Sequence, residues 1–184
     1  MQNLIVDSRI RLEEIRYSHG FQIFQAIEKN RDFLSPWLPF VQQTQSQEDT
    51  EDFIRSVLSE PADKRDDVFV IWFENSFAGL LGLKDKDFVN RKVEIGYWLV
   101  EAMTGKGIVT RSVKAMISFL FESMQMNRVQ IKCGVGNTPS SAIPKRLGFT
   151  FEGIEREGER HRERYIDLEV YSFLKKEWKK DGRY

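Results

Sequence analysis

The sequence contains a single cysteine, no net charge and no long apolar run, and each of these shortages excludes a class of protein. Cys133 alone cannot form an intramolecular disulfide, which fits a reducing compartment. The 28 basic and 28 acidic residues cancel, so the chain as a whole does not attract phosphate polymers or anionic lipid.

No uninterrupted apolar stretch approaches the about 20 residues that cross a bilayer. Residues 1–7 lack the basic and then apolar pattern of a secretory signal. We therefore expect a cytoplasmic protein that binds neither membrane nor nucleic acid directly.

Histidine is also scarce, and the one dense run of charge is balanced. His19 and His161 are the two histidines, and neither has a potential metal ligand at useful spacing, so we predict no metal site. Residues 155–164 contain four Glu and four Arg. Because this run has no net charge, it cannot dominate phosphate binding through counterion release, and we predict a solvated hairpin.

The apolar residues that are present suffice for a core. With 184 residues, 41% of them hydrophobic, the chain favours one domain over residues 1–184. Alternating and continuous apolar segments predict strands at 10–15, 68–73, 77–83, 93–100, 128–135, 150–157 and 164–173, and helices at about 18–30, 46–58, 109–120 and 140–147. Ser18 is the predicted cap of the first helix, and Ser46 with Asp49 forms the predicted capping box of the second. The apolar face of the third helix is predicted at Val109, Val113, Met116, Ile117 and Leu120, and Cys133 is predicted to be a small buried residue of its strand. Three consecutive strands predict an antiparallel meander, and the strand–helix–strand unit after it requires a parallel crossover. The expected fold is α+β: a mixed sheet of about seven strands flanked by helices.

The turn Gly105-Lys106-Gly107 lies between a predicted strand and a predicted helix. Such a turn leaves unpaired backbone N–H groups at the helix N-terminus, where the helix dipole favours an anion. Glycine allows the backbone to approach a pyrophosphate closely. Taken alone, the turn is equally typical of an ordinary strand-to-helix connection, and it matches neither G-x-G-x-x-G nor G-K-[ST].

A second motif about thirty residues downstream changes this interpretation. Residues 137–149 read Asn-Thr-Pro-Ser-Ser-Ala-Ile-Pro-Lys-Arg-Leu-Gly-Phe. The pattern N-x-x-S-x-x-[aliphatic]-x-x-[KR]-x-G-F after a strand resembles the second cofactor motif of the GNAT acetyltransferases, whose first motif is a Gly-x-Gly turn. Residues 30–38 and 94–100 resemble the RimJ/RimL branch, and within it the YdaF-type group of ribosomal-protein acetyltransferases. The resemblance extends from about Arg11 to Trp178.

This resemblance implies a GNAT-like fold with a splayed central pair of parallel strands, 93–100 and 128–135, and acetyl-CoA as co-substrate. The backbone of Leu99 and Val100, together with Asn137, would bind the pantetheine arm. Backbone N–H groups would bind the pyrophosphate from Gly105, Lys106, Gly107, Ile108, Val109 and Thr110. The sequence departs from the family at Thr104, where Arg or Gln is usual, and at Val109, where Gly or Ala is usual.

The groups that would move protons also follow from the resemblance. Many GNAT enzymes use a tyrosine as the acid for the departing thiolate, and Pro144 stands at that position. Ser140 is the remaining hydroxyl, although a serine there is also suited to capping the following helix. The candidate bases are Glu94, which could equally lie on the solvated side of its strand, and Glu159, which could equally be a surface charge; a water chain is a third alternative.

Trp37 and Phe40 are expected either to shape an acceptor pocket or to anchor the core.

Three functions remain open. The first is acetylation of the N-terminal α-amine of a protein, with a ribosomal protein as the acceptor, by direct transfer in a ternary complex. The second is acetylation of a small amine, such as a polyamine, an amino acid or an aminoglycoside. The third is acyl-CoA binding without turnover. Relatives often self-associate, so a homo-oligomer is also an expectation.

Overall fold

A computed structural model describes residues 3–61, 66–161 and 163–178. Within these ranges the strands are β1 Asn3–Ile5, β2 Ile10–Glu14, β3 Asp67–Phe73, β4 Ser76–Asp87, β5 Lys92–Leu99, β6 Arg128–Gly134, β7 Thr150–His161 and β8 Arg164–Leu174. The α-helices are α1 Gly20–Lys29, α2 Arg31–Leu34, α3 Phe40–Gln43, α4 Gln47–Ser59, α5 Ile108–Glu122 and α6 Thr138–Arg146. Three further turns are 3-10 helical, at Tyr17–His19, Glu101–Met103 and Lys175–Glu177.

The strands form one mixed sheet in the order β1-β2-β3-β4-β5-β6-β8-β7. The predicted parallel crossover is confirmed, because β5 and β6 pair in parallel on either side of α5. The mixed α+β class is also confirmed, but the described residues contain eight strands rather than about seven. The additional strand, β1, is only three residues long and pairs antiparallel with β2. Such a short edge strand has too few residues to show a period-two pattern.

The charged run 155–164 lies in the β7–β8 hairpin, as predicted. Arg160 pairs with Tyr165 and His161 with Arg164 across the antiparallel ladder, while Arg162 lies outside the described residues. The sequence did not reveal that β8 lies between β6 and β7. That order depends on which backbone edge each strand pairs with, and a hydrophobic pattern reports faces rather than edges.

By packing, the chain divides into two compact units, Met1–Gly82 with Tyr97–Ile108, and Leu83–Gly96 with Val109–Tyr184. The first unit has its own apolar core, formed by α1, α4 and one face of its strands. Its buried members are Ile15, Ile23, Ala26, Ile27, Leu34, Val41, Ile54, Val57, Val68, Val70, Trp72, Leu80 and Trp98. In the second unit α5 buries the face that the sequence predicted, Val109, Val113, Met116, Ile117 and Leu120. There Phe149 stacks on Phe173 with ring centroids 5.2 Å apart.

The starts of α1 and α4 show where local signals succeed and fail. Ser46 and Asp49 form the predicted capping box at α4, because Asp49 N donates to Ser46 Oγ while the Asp49 carboxylate accepts the Ser46 N–H. Ser18 does not cap the first helix, contrary to the sequence prediction. It lies inside the 3-10 turn Tyr17–His19, whose N-cap residue Arg16 donates its N–H to Nδ1 of His19 at 3.1 Å.

Candidate active site

The glycine turn in the first unit has the backbone geometry of an anion-binding loop. Gly105 and Gly107 both have left-handed φ angles, +73° and +69°. A Cβ built at either position would meet no atom within 4 Å, so the space beside the turn is open. The turn is followed directly by α5, whose first N–H groups have no partners within the helix. An open glycine turn at a helix N-terminus fits the pyrophosphate of an acetyl-CoA molecule.

Charged side chains lie in this turn and at the first residues of α5. Lys106 is exposed, with Nζ 3.7 Å from the sulfur of Met103. Ile108 and Val109 are buried, so the bulk of Val109 lies in the interior and its contribution to a ligand would come from the backbone. Thr110 accepts a 2.9 Å hydrogen bond from the Arg146 guanidinium on its hydroxyl.

The backbone groups of Leu99, the last residue of β5, and of Val100, which follows it, differ in their hydrogen bonds. Val100 N donates to Ala78 O at 2.9 Å, and Val100 O accepts from Met103 N at 3.0 Å. The Val100 N–H is therefore already engaged. Because successive residues in a strand direct their N–H and C=O groups to opposite edges, those of Leu99 point away from β4. Leu99 remains the better candidate for a strand-like contact with a pantetheine arm.

In the second unit, the ladder between β5 and β6 is short. The paired residues are Lys92 with Arg128, Val93 with Val129 and Glu94 with Gln130. Both strands continue beyond these pairs, to Leu99 and Gly134. Within the described residues of the two strands, the parallel pairing thus ends at Glu94, which matches the expected divergence.

Asn137 and Ser140 take different positions at the start of α6. Asn137 is the N-cap, and its side-chain oxygen accepts the Ser140 N–H at 3.3 Å. Ser140 therefore does not serve as the cap. Its hydroxyl instead donates to the sulfur of Cys133 on β6, also at 3.3 Å. Cys133 is buried, as the sequence predicted.

Pro144 lies inside α6 and is buried. Its position leaves no titratable proton where many GNAT enzymes carry tyrosine, which is why Ser140 is the candidate acid on this helix.

Glu94 lies at the centre of a polar cluster on one face of the sheet. Its carboxylate is 3.7 Å from Lys132 Nζ and 4.0 Å from Lys84 Nζ, and it accepts a long, 3.4 Å hydrogen bond from Gln130. Only 12% of its side chain is exposed. Burial raises the pKa of Glu94, and the two lysines oppose this effect without cancelling it. A carboxylate with a raised pKa is suited to accept a proton near neutral pH.

Glu159 lies in a different environment, on β7. Its carboxylate is 2.8 Å from Nε2 of the buried His161, and its side chain is 39% exposed. Glu159 is thus half of a local pair, and its surroundings are more solvated than those of Glu94.

Trp37 and Phe40 lie in the segment between α1 and α4 of the first unit. Trp37 is half-buried, Phe40 is 36% exposed, and neither belongs to the buried core. Their exposure favours the acceptor-pocket interpretation over the core anchor.

Sequence reasoning missed the partners of these residues. Lys84, Gln130 and Lys132 surround Glu94, and Cys133 contacts Ser140. Gln130 and Lys132 lie two residues apart on β6 and therefore on one face of the sheet, but nothing in the sequence connected that face to Glu94. Among the described residues there is no group of three or more His, Cys, Asp or Glu side chains arranged to hold a metal ion. In the same part of the chain, no helix combines the length and apolar character needed to cross a membrane.

The open glycine turn of the first unit, and the early-ending β5–β6 pair and capped α6 of the second, are each features expected of an acyl-CoA-dependent transferase of the GNAT type. The chain matches the family described as "Acetyltransferase (GNAT) domain" over residues 9–150. The chain therefore belongs to the GNAT family of N-acetyltransferases.

Individual relatives match over nearly the whole chain. YdaF of Bacillus subtilis (strain 168) is 35% identical over 175 residues, covering 94% of this chain and 95% of YdaF. The ribosomal-protein-serine acetyltransferase of Escherichia coli (strain K12) is 29% identical, covering 93% of this chain and 96% of its own. A solved structure of RimL, a ribosomal L7/L12 α-N-protein acetyltransferase in complex with coenzyme A, superimposes with a TM-score of 0.88 at 28% identity. That match covers 94% of this chain and 97% of RimL.

Proposed function

We propose that this protein transfers the acetyl group of acetyl-CoA to the N-terminal α-amine of a protein, with a ribosomal protein as the acceptor class. The observation that carries the proposal is Glu94, a largely buried carboxylate with a raised pKa at the last paired position of β5. The near full-length similarity to ribosomal-protein acetyltransferases supports the acceptor class. Such an acceptor places the reaction in the cytoplasm.

In this mechanism the backbone of the Gly105–Thr110 segment and of Leu99 holds acetyl-CoA, with Asn137 beside the pantetheine arm. Glu94 accepts a proton from the acceptor's ammonium group, which leaves a neutral amine. The amine nitrogen attacks the thioester carbonyl, the C–N bond forms and the C–S bond breaks. Ser140 donates its proton to the departing thiolate and takes in its place the second proton that the attacking nitrogen releases. CoA therefore leaves as the free thiol, the ammonium proton passes from Glu94 to solvent, and no acyl-enzyme forms.

The charges around Glu94 favour an α-amine over other amines. An α-amine has an ordinary pKa near 8, whereas a lysine or similar alkylamine lies about 2 units higher and costs more to deprotonate. Lys84 and Lys132 both approach Glu94 to within 4.0 Å. Two fixed cations beside the base oppose a polycation such as a polyamine, and they also favour the neutral form of an incoming amine.

The test is a thiol-release assay with matched acceptors. One peptide has a free N-terminal serine and an internal lysine, and its control has the same sequence with a blocked N-terminus. Spermidine, a free amino acid and an aminoglycoside complete the panel. We expect release only with the free peptide. Equal release with the blocked peptide or faster release with a small amine would contradict the α-amine proposal. Calorimetric binding of CoA without release on any acceptor would indicate an acyl-CoA-binding protein, consistent with the departures at Thr104, Val109 and Pro144.

A further inference from the structure

The side-chain amide of Asn30 connects two segments of the first unit that are far apart in sequence. Its Nδ2 donates to Ala26 O at 2.8 Å, one turn back on α1. Its Oδ1 accepts the backbone N–H of Glu101 at 2.9 Å, across 71 residues of sequence. Each end of the amide has a partner of the opposite kind, so the orientation of the amide is defined.

Glu101 is the first residue of the 3-10 turn that leads into the glycine turn. The first N–H groups of any helical turn have no partner within it. Asn30 supplies that partner for Glu101, in the way that an N-cap side chain does from within the same segment. The carbonyl of Glu101 then accepts both the N–H of Thr104 at 3.0 Å and the Thr104 hydroxyl at 2.7 Å. Glu101 is therefore hydrogen-bonded to Asn30 through its N–H and to Thr104, the residue before Gly105, through its carbonyl.

The two glycines of the turn lie in open space. Around the Cβ positions of Gly105 and Gly107 the space is empty to 4 Å, and both glycines are exposed. Glycine also restricts the backbone less than any other residue. Among the residues that flank the turn, Glu101 is hydrogen-bonded to Asn30 at the end of α1, so this bond contributes to the position of the turn.

The next residue, Arg31, makes a separate set of bonds. Its guanidinium donates to the backbone oxygen of Thr44 at 2.8 Å and to that of Val41, and it pairs with Glu28. These contacts hold together the segment 31–44, which contains Trp37 and Phe40. Asn30 is thus hydrogen-bonded to the 3-10 turn that precedes Gly105, and Arg31 is hydrogen-bonded to residues at the end of the segment 31–44.

We infer that Asn30 is a positioning residue for acetyl-CoA binding, because it fixes the start of the segment that carries Gly105–Gly107, and that Arg31 is a positioning residue for the acceptor. This inference rests on the proposed function. It assigns no catalytic step to either residue.

The first experiment measures the Kd of CoA by calorimetry for Asn30→Ala and for Asn30→Asp. Alanine removes the acceptor for the Glu101 N–H, and we expect the Kd to rise about 3- to 10-fold, the range of one hydrogen bond. Aspartate keeps the oxygen acceptor for the Glu101 N–H but loses the donor to Ala26 O, so its Kd should rise less than that of Asn30→Ala. An unchanged Kd in Asn30→Ala, or an equal loss in Asn30→Asp, overturns the inference.

A second variant removes the same hydrogen bond from its other end. Glu101→Pro deletes the N–H while leaving Asn30 in place, and proline is tolerated at the first position of a helical turn. It should raise the Kd of CoA to the same degree as Asn30→Ala, again about 3- to 10-fold. This variant decides the matter if Asn30→Ala fails to fold, and wild-type affinity in Glu101→Pro overturns the inference.

Arg31→Gln and Asn90→Ala serve as matched controls. Arg31→Gln should raise the KM for the peptide acceptor while the Kd of CoA stays within about 2-fold, since the contacts of the Arg31 guanidinium with Thr44, Val41 and Glu28 do not include Glu101. Asn90 hydrogen-bonds locally to Asp87, and its replacement should leave both constants unchanged. A rise in the Kd of CoA for Arg31→Gln equal to that for Asn30→Ala would overturn the separation of the two roles. If the wild type itself does not bind CoA, the proposed function fails instead.

Discussion

The Ser140 hydroxyl donates a hydrogen bond to the sulfur of Cys133 at 3.3 Å. A thiol sulfur is a weak acceptor, so this bond costs little to break. The hydroxyl can therefore turn from one sulfur, that of Cys133, to another, that of a departing thiolate. The Asn137 cap holds the Ser140 backbone while the side chain turns.

Ser140→Ala should lower kcat by about 10- to 100-fold, the low end of what a positioned acid contributes, and should raise the KM for acetyl-CoA less. Steady-state kinetics with the free peptide acceptor measures both constants. Ser141→Ala is the matched control on the same helix, because Ser141 is buried and its oxygen interacts with Lys145. A kcat unchanged in Ser140→Ala would remove Ser140 from the mechanism.

Glu94→Gln should lower kcat/KM by about 100-fold at neutral pH, because the amide cannot accept the ammonium proton. In the wild type, kcat/KM should rise with pH through the raised pKa of Glu94, which results chiefly from burial, and this limb should vanish in the variant. Glu159→Gln tests the rival base. Should Glu159→Gln lose the limb and Glu94→Gln keep it, the two roles would be exchanged.

Glu94→Gln should lower activity without lowering the free energy of unfolding. Since the pKa of Glu94 is raised on folding by burial, its contribution to the free energy of unfolding is complete below the ordinary carboxyl pKa. That contribution is lost as pH rises through the folded value. At pH 7 the uncharged variant should therefore unfold at a temperature no lower than the wild type. A clear drop in its Tm would mean that the ion pairs with Lys84 and Lys132 outweigh the burial cost.

Gly107→Ala should destabilise the protein by about 1 kcal/mol, because an L-residue is disfavoured in the left-handed region that φ = +69° occupies. No clash contributes, since a Cβ there meets nothing within 4 Å. Urea unfolding measures the loss, and calorimetry should show weaker CoA binding. Gly82→Ala is the control, because an added Cβ there meets only Asp67 O, at 4.0 Å. Equal losses in both variants would show that glycine flexibility, rather than the turn conformation, is responsible.

His19 should make the protein less stable in mild acid. Burial lowers the pKa of His19, and its Nδ1 accepts the Arg16 N–H, which requires the unprotonated nitrogen. A nearby carboxylate, Glu13, partly opposes this shift, and Arg16 adds to it. The stabilisation is complete above the ordinary histidine pKa of about 6.5 and is lost as pH falls through the lower folded value. Urea unfolding between pH 7.5 and 5 should show a smaller decline in His19→Gln, and parallel declines would exclude His19 as the cause.

The family and most of the secondary structure followed from local sequence. The face of α5 and the Ser46–Asp49 cap depend on residues within a few positions of one another, and so does the motif from Asn137 to Phe149. Such patterns can be recognised in a single sequence because a helix turn or a capping box is complete within four residues. The prediction that Ser18 caps the first helix was wrong. The buried His19 instead accepts the N–H of Arg16 on its ring nitrogen, and local sequence does not show which side chain is buried.

The sequence by itself thus determined the glycine turn, the Ser140 helix and two competing carboxylates. Only the tertiary structure distinguished their environments. Glu94 and Glu159 are the same residue type, but one is enclosed between Lys84, Lys132 and Gln130 while the other pairs with His161 near solvent. A proton affinity depends on burial and on charges within a few ångströms, and residues as distant in sequence as Lys84 and Lys132 reach one carboxylate only when the strands are side by side. The hydrogen bond from Glu101 to Asn30 is of the same kind, since 71 residues separate its ends and only the fold brings them to 2.9 Å.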